Sequence, residues 1–234
     1  MEMINVACVL SNVGELYGVD YVYKLKRAFE RHLNSKHRFY CFTHVKIPDV
    51  ETIELRHDWP GFWAKIEMFR PHVLSGPTLY CDLDVILTGD VTELAKYKSK
   101  PGFFMIDDVP EYPQVHNSTL MWWDSDNPAW WGIYEEFARR PRHFMEKHSW
   151  DGAKPENYAD QAYIVEYLRF FGKKPIHWQQ CFPKEWFKIF SANGRLTEDA
   201  KNWKSNDDSR LWYALGQPKA HQQTSLPLVQ KNWI

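Results

Sequence analysis

The sequence predicts an α/β layered domain, and three observations carry that reading. The chain opens as strand, helix, strand, strand; a long apolar run follows Pro77; and helix-period segments follow Asn127 and Asp160. Ile4 to Leu10 reads as a short apolar strand ended by the polar turn Ser11-Asn12-Val13-Gly14. Val19, Val22, Leu25, Phe29 and Leu33 then recur at a helical period, with Lys24, Lys26, Arg27 and Arg31 on the other face. Phe39 to Thr43 and Thr52 to Leu55 are the next strands. Ala64 to Phe69 is a short helix stopped by Pro71. Leu79 to Leu87 reads as buried strand, and Gly102 to Ile106 and Ser118 to Trp122 as further strands. Asn127-Pro128 is a helix start, a capping residue followed by proline at the first helical position. A last helix begins near Asp160 and ends at Gly172. Beyond Pro175 the pattern is irregular. The 234 residues hold no repeat and no clean linker, so residues 1–234 read as a single domain with a loop-rich C-terminal third.

Bulk composition excludes several classes of function. The formal net charge of −1 gives no electrostatic case for nucleic acid or a membrane surface. No stretch approaches the ~20 apolar residues of a membrane-spanning helix. The N-terminus lacks a basic leader and cleavage site, so a cytoplasmic location is expected. Cys8, Cys41 and Cys81 fall in expected strands, and no cysteines form a Cys-x-x-Cys pair, which argues for small core residues in a reducing compartment. Most of the twelve tryptophans read as core filler. A Walker or dinucleotide phosphate loop, a nucleophile elbow around serine, and histidines at zinc-ligand spacing are all absent.

The feature that demands chemistry is Leu79-Tyr80-Cys81-Asp82-Leu83-Asp84-Val85-Ile86-Leu87. Burying an ionised carboxylate is costly without compensation, and here two stand one residue apart in an apolar run. Residues i and i+2 of a strand share a face, so Asp82 and Asp84 would converge on one site. Two carboxylates with other positions open suit Mg²⁺ or Mn²⁺ shared with a ligand phosphate. In open α/β sheets such ligands bind beyond the carboxyl ends of the strands, where the pair would sit if Leu79 to Cys81 is the strand proper. Solvated aspartates at a strand-end turn are the plainer alternative.

At this point the sequence resembles a nucleotide-sugar-dependent glycosyltransferase of GT-A type. Gly61-Phe62-Trp63-Ala64-Lys65-Ile66-Glu67-Met68-Phe69-Arg70-Pro71 is similar to that family's Gly-x-Trp-x-Lys segment. Leu79 to Asp90 resembles its Asp-x-Asp segment with a following Gly-Asp. Asn117-Ser118, Asp160-Gln161 and Gly216-Gln217-Pro218-Lys219 match later elements in order. The nearest likeness is to bacterial and phage relatives of the glycogenin and galactosyltransferase-like group (glycosyltransferase family 8-like).

The resemblance implies a single Rossmann-like GT-A domain with a mixed, mostly parallel sheet flanked by helices. It implies sugar transfer from a UDP-sugar to a hydroxyl of a glycan, lipid-linked sugar, protein or modified base, with retained configuration. Asp82 and Asp84 would grip Mn²⁺ or Mg²⁺, Asp84 most directly and Asp82 with the ribose as well. Leu10, Ser11, Asn12 and Leu83 would line the nucleotide pocket. Lys65 would face the donor, Asn117 the transferred sugar, Asp160 and Gln161 the anomeric carbon or acceptor, and Lys219 the leaving phosphates. Taken alone, Lys65 reads as an exposed helix lysine, Asn117 as a turn residue and Asp160 as an N-cap.

One departure stands out. The family's metal-binding histidine near the C-terminal glycine is matched here by Leu215, and the motif's second proline by Ala220. His221 is the nearby substitute as third metal ligand, though out of register, and a solvated histidine is its plainer reading. Two other readings stay open. A nucleotidyltransferase making nucleotide sugars would also use acidic residues and a metal, but Leu10 to Gly14 holds no basic residue. A non-catalytic sugar-nucleotide or glycan-binding relic would account for Leu215.

Overall fold

The computed structural model describes residues 3–11, 16–99, 101–107, 115–149 and 159–234. Strand β1 (Ile4–Leu10) leads to helix α1 (Val19–His32), β2 (His37–Thr43) and β3 (Glu51–Glu54). A 3-10 helix (Gly61–Phe69) precedes β4 (Pro77–Cys81) and β5 (Ile86–Leu87). Then come β6 (Phe104–Asp107), β7 (His116–Asp124), α2 (Pro128–Arg139), α3 (Pro141–Lys147), α4 (Ala159–Phe170) and β8 (Ile176–His177). The C-terminal part adds α5 (Trp178–Cys181), β9 (Phe187–Ala192), β10 (Arg195–Leu196) and β11 (Leu211–Leu215).

A seven-stranded sheet runs β3-β2-β1-β4-β7-β6-β8. Its pairs are parallel except where β7 lies antiparallel to β4 and β6. The carboxyl ends of β1, β2, β4, β6 and β8 therefore share one edge with the start of β7. The period of two along β1 divides the core. Ile4, Val6, Cys8 and Leu10 face α1 and the C-terminal elements, whereas Ala7 faces the 3-10 helix, α2 and α4. Trp122, Trp123, Trp178 and Trp212 are fully enclosed, in keeping with their reading as core residues.

Local signals behave as their chemistry requires. Asn127 caps α2 by accepting the Ala129 N–H at 3.0 Å, with Pro128 at the first helical position. Helix α4 stops at Gly172, which adopts φ +67°. The Ala64 to Phe69 segment belongs to a nine-residue 3-10 helix that begins at Gly61. A wholly buried Glu67 ties it down by accepting the N–H groups of Arg56 and His57 and pairing with Arg70.

Two expectations need correction. Leu79 to Leu87 is not one strand. It leaves the main sheet after Cys81, turns through Asp82 to Val85 and re-enters order as β5. A continued strand would carry two carboxylates into apolar layers, while the turn brings both to polar partners. The C-terminal third is also more ordered than its composition discloses. β10, β9, β11 and β5 form a second, four-stranded sheet. Its strands are short and mixed in polarity, and β11 pairs with β5, the Leu211–Leu87 partners lying 124 residues apart, so no local pattern announces it.

Candidate functional site

Asp82 and Asp84 sit in the turn that leaves the carboxyl edge of β4. The Asp82 N–H is held by the Thr119 carbonyl at 2.9 Å, which fixes the turn to β7. Its carboxylate has three partners. Oδ1 pairs with Lys65 Nζ at 2.9 Å and accepts from the Tyr80 hydroxyl, and Oδ2 accepts from Thr119 Oγ1 at 2.9 Å. Burial pushes the Asp82 carboxyl up, but Lys65 together with the Tyr80 and Thr119 hydrogen bonds outweighs it and holds the group below its usual range.

Asp84 is buried and differently held. Its Oδ2 pairs with Lys219 Nζ at 2.5 Å and accepts from the Tyr17 hydroxyl at 2.9 Å. Lys219 arrives from the turn after β11, where Gly216 at φ +98° allows the reversal. Burial and the nearby Asp84 carboxylate drive the Tyr17 hydroxyl far above its normal pKa, so it stays a donor. Asp84 Oδ1 accepts no hydrogen bond from the described residues.

Lys65 links the acidic turn to α4. Its ammonium lies 3.6 Å from the Asp160 carboxylate and donates to Ser118 Oγ at 3.1 Å. Burial works against the ammonium, yet Asp160 and Asp82 overcompensate and keep it charged. Asp160 is 2% exposed, and burial raises its carboxyl pKa despite Lys65. It follows Ala159, which holds φ +66°. A left-handed non-glycine residue stores strain of about 1 kcal/mol or more, and such strain concentrates at functional positions.

The other expected residues take varied places. Leu10 is buried at the end of β1, and Ser11 donates to the Gly61 carbonyl at 3.0 Å, tying β1 to the 3-10 helix. Asn12 lies outside the described residues. Asn117 is buried at the same edge and its Oδ1 accepts the Thr119 N–H at 2.7 Å. Gln161 is half-buried in the first turn of α4. Leu83 packs in the apolar core at 3% exposure, so any contact it makes with a nucleotide runs through its backbone. His221 does not join the carboxylates. Its Nδ1 engages the Tyr21 hydroxyl, and no three His, Cys, Asp or Glu side chains among the described residues are grouped to hold a metal. The expected third ligand is thus absent from the described site, and Leu215 is a half-buried residue ending β11.

The donor set still suits a hard divalent cation as a two-carboxylate grip. Both ligands are oxygens, and Asp84 keeps one oxygen unbonded, so the remaining positions fall to a ligand. Sequence reasoning missed Tyr17, Tyr80, Thr119 and Ser118. Tyr80 was legible as the residue two before Asp82 on the same strand, whereas Tyr17 carried no signal.

No protein-family model and no curated protein matches the sequence. Solved structures do resemble its fold. Galactosyltransferase LgtC, in complex with donor and acceptor sugar analogs, superposes at a TM-score of 0.59 and 10% identity, covering 97% of this chain and 93% of that one. The bifunctional glycosyltransferase WbbM superposes at 0.56 and 12% identity, over 93% of this chain and 46% of WbbM. The glycosyltransferase GlyE of Streptococcus pneumoniae TIGR4 superposes at 0.54 and 15% identity, over 75% of this chain and 45% of GlyE. The chain thus spans less than half of WbbM and of GlyE. At these identities the likeness establishes the GT-A fold.

Proposed function

We propose that this GT-A chain is a glycosyltransferase that moves a sugar from a UDP-sugar to a hydroxyl acceptor with retained configuration. The observation that carries the reading is the pairing of two carboxylates with two lysines at the carboxyl edge of the sheet, half-buried Asp82 with Lys65 and buried Asp84 with Lys219. Asp82 and Asp84 would hold Mn²⁺ or Mg²⁺, which supplies Lewis-acid stabilisation of the leaving diphosphate when bound. Lys219 offers a second positive charge to the same phosphates. Lys65, braced between Asp82 and Asp160, keeps the donor side of the cleft polar and rigid. Asn117 touches the transferred sugar, Asp160 and Gln161 lie by the anomeric carbon or the acceptor, and Leu10 and Ser11 border the nucleotide. Retention requires no strong general base, so leaving-group stabilisation bears most of the barrier reduction. Among the described residues no helix is long and apolar enough to cross a membrane. The acceptor class is set by loops around the cleft.

The test is UDP release from a panel of UDP-sugars with Mn²⁺. Asp84→Ala is expected to lower the rate by about 10²-fold or more. Equal, slow release by wild type and variant would sink the catalytic assignment. Leu215, standing where the resemblance expects a metal-binding histidine, motivates a second reading, a non-catalytic sugar-nucleotide-binding relic. Calorimetry showing donor affinity indifferent to Mn²⁺, together with no turnover, would select it.

A further inference from the structure

The two lysines of the acidic turn are held in different ways. Lys65 Nζ has three partners, Asp82 at 2.9 Å, Ser118 Oγ at 3.1 Å and Asp160 at 3.6 Å, and it lies 5.6 Å from the centroid of the Tyr80 ring. Lys219 Nζ pairs with one carboxylate among the described residues, Asp84. The Lys219 backbone is fixed, because its N–H donates to Gln222 Oε1 at 2.7 Å and its carbonyl accepts the Gln222 N–H at 3.0 Å. Its side chain is a flexible four-carbon stem that carries a point charge. Moving the ammonium off Asp84 thus calls for side-chain rotation and no backbone rearrangement. Asp84 keeps a partner in that event. Tyr17, whose ring meets Tyr21 of α1 edge to face with centroids 4.8 Å apart, donates to the same Oδ2.

Charge decides when the ammonium moves. Asp82 and Asp84 carry two negative charges and Lys65 and Lys219 two positive ones, so the turn is neutral before any ligand enters. Asp160, which also leans on Lys65, is pushed toward its uncharged form by burial. With a divalent cation alone at Asp84, the buried Lys219 ammonium would stand beside two added positive charges, and like charges repel strongly where water is scarce. With a diphosphate alone, Lys219 would be drawn away and Asp84 left buried without its counter-charge, which is costly. The diphosphate of a nucleotide sugar carries two negative charges. Together with a divalent cation it leaves the net charge of the turn unchanged, and Lys219 then turns from Asp84 to phosphate as the cation takes its place.

We infer that Lys219 is a built-in competitor of the divalent cation for Asp84, and that its release couples cation binding to nucleotide binding. The inference rests on the metal and nucleotide reading above and adds to it the dependence of each ligand on the other. Lys219 weakens the hold of Asp84 on a cation in the empty site and stops doing so once a diphosphate draws it away. By linkage each ligand raises the affinity for the other by the same factor. Lys65 takes no part in the exchange, since Asp82, Ser118 and Asp160 all hold it in place.

Two measurements test the competition. Calorimetry and the Mn²⁺ electron paramagnetic resonance signal give the affinity for Mn²⁺ with and without UDP, the part that every UDP-sugar shares. In wild type, saturating UDP is expected to tighten Mn²⁺ binding about 10- to 100-fold. Lys219→Met is expected to bind Mn²⁺ alone about 10-fold more tightly than wild type, and UDP alone more weakly. Lys219→Arg keeps the charge and should bind Mn²⁺ alone no better than wild type. A lysine that only meets phosphate would leave the affinity for Mn²⁺ alone unchanged, so equal values for wild type and Lys219→Met overturn the inference. The second measurement uses the unaltered protein and holds even if Lys219→Met does not fold. The ¹⁵N signal of the Lys219 ammonium, assigned from its absence in Lys219→Arg, should move when Mg²⁺ and UDP are added together and stay in place with either alone at the same concentration. A signal that moves equally with UDP alone also overturns the competition. In either failure the metal and nucleotide reading stands, provided that wild type binds Mn²⁺ and UDP together. If wild type binds neither in any combination, that reading falls and the competition falls with it.

Discussion

Asp82 and Asp84 stand two residues apart, yet different parts of the chain hold them. Asp82 is bound by Tyr80, Thr119 and Lys65, all on the main sheet or the 3-10 helix packed on it. Asp84 is bound by Tyr17, from the segment before α1, and by Lys219, from the turn after β11. One carboxylate is thus part of the rigid layer. The other is held by two segments that meet only when the C-terminal part docks. On the proposed reading both carboxylates would hold the cation, Asp82 as the more firmly braced of the two and Asp84 with the unbonded oxygen.

Removing each lysine sharpens the comparison most. Lys65→Met leaves Asp82 and the deeply buried Asp160 without their cation, and should cost about 3–5 kcal/mol in urea unfolding. A loss below about 1 kcal/mol would mean that the pair is not the main brace of the sheet edge. Lys219→Met strands only Asp84, whose second oxygen is open, so the expected cost is smaller, about 2 kcal/mol. If Lys219→Met proves the more damaging, Asp84 and not Asp82 is the more firmly braced carboxylate.

The pH dependence is the smallest effect, and its signs differ within the site. The Asp82 carboxyl is lowered in the folded state. Its stabilisation is present above its unfolded pKa of about 3.9 and is lost as pH falls through the lower folded value. The Asp160 carboxyl is raised, so its contribution is full below about 3.9 and fades as pH rises through the folded value. Melting temperatures against pH for Asp82→Asn and Asp160→Asn should therefore diverge from wild type in opposite directions. Curves that both run parallel to wild type would remove the electrostatic account.

Much of the sheet was legible because period-two and period-3.6 patterns are local. The alternation in β1, the apolar stripe of α1 and the Asn127-Pro128 start of α2 needed no tertiary information. Lys65, Asn117, Asp160 and Lys219 were legible only by resemblance, since each alone reads as an ordinary surface or turn residue. The contact of Asp107, His177 and His116 was not legible. Asp107, His116 and His177 have no ligand spacing, and only strand pairing brings them together.

By itself the sequence determined the layered α/β class, the order of most elements and the acidic pair as an electrostatic anomaly. Tertiary structure decided the break after Cys81, because burial penalises carboxylates in a way periodicity does not register. It decided the second sheet, because the pairing of Leu211 with Leu87 joins distant segments through backbone hydrogen bonds. It also turned His221 toward Tyr21 instead of the carboxylates, and brought Lys219 onto Asp84. Local preference acts over a few residues, whereas the partner of a buried charge is chosen by whatever the whole chain carries to it.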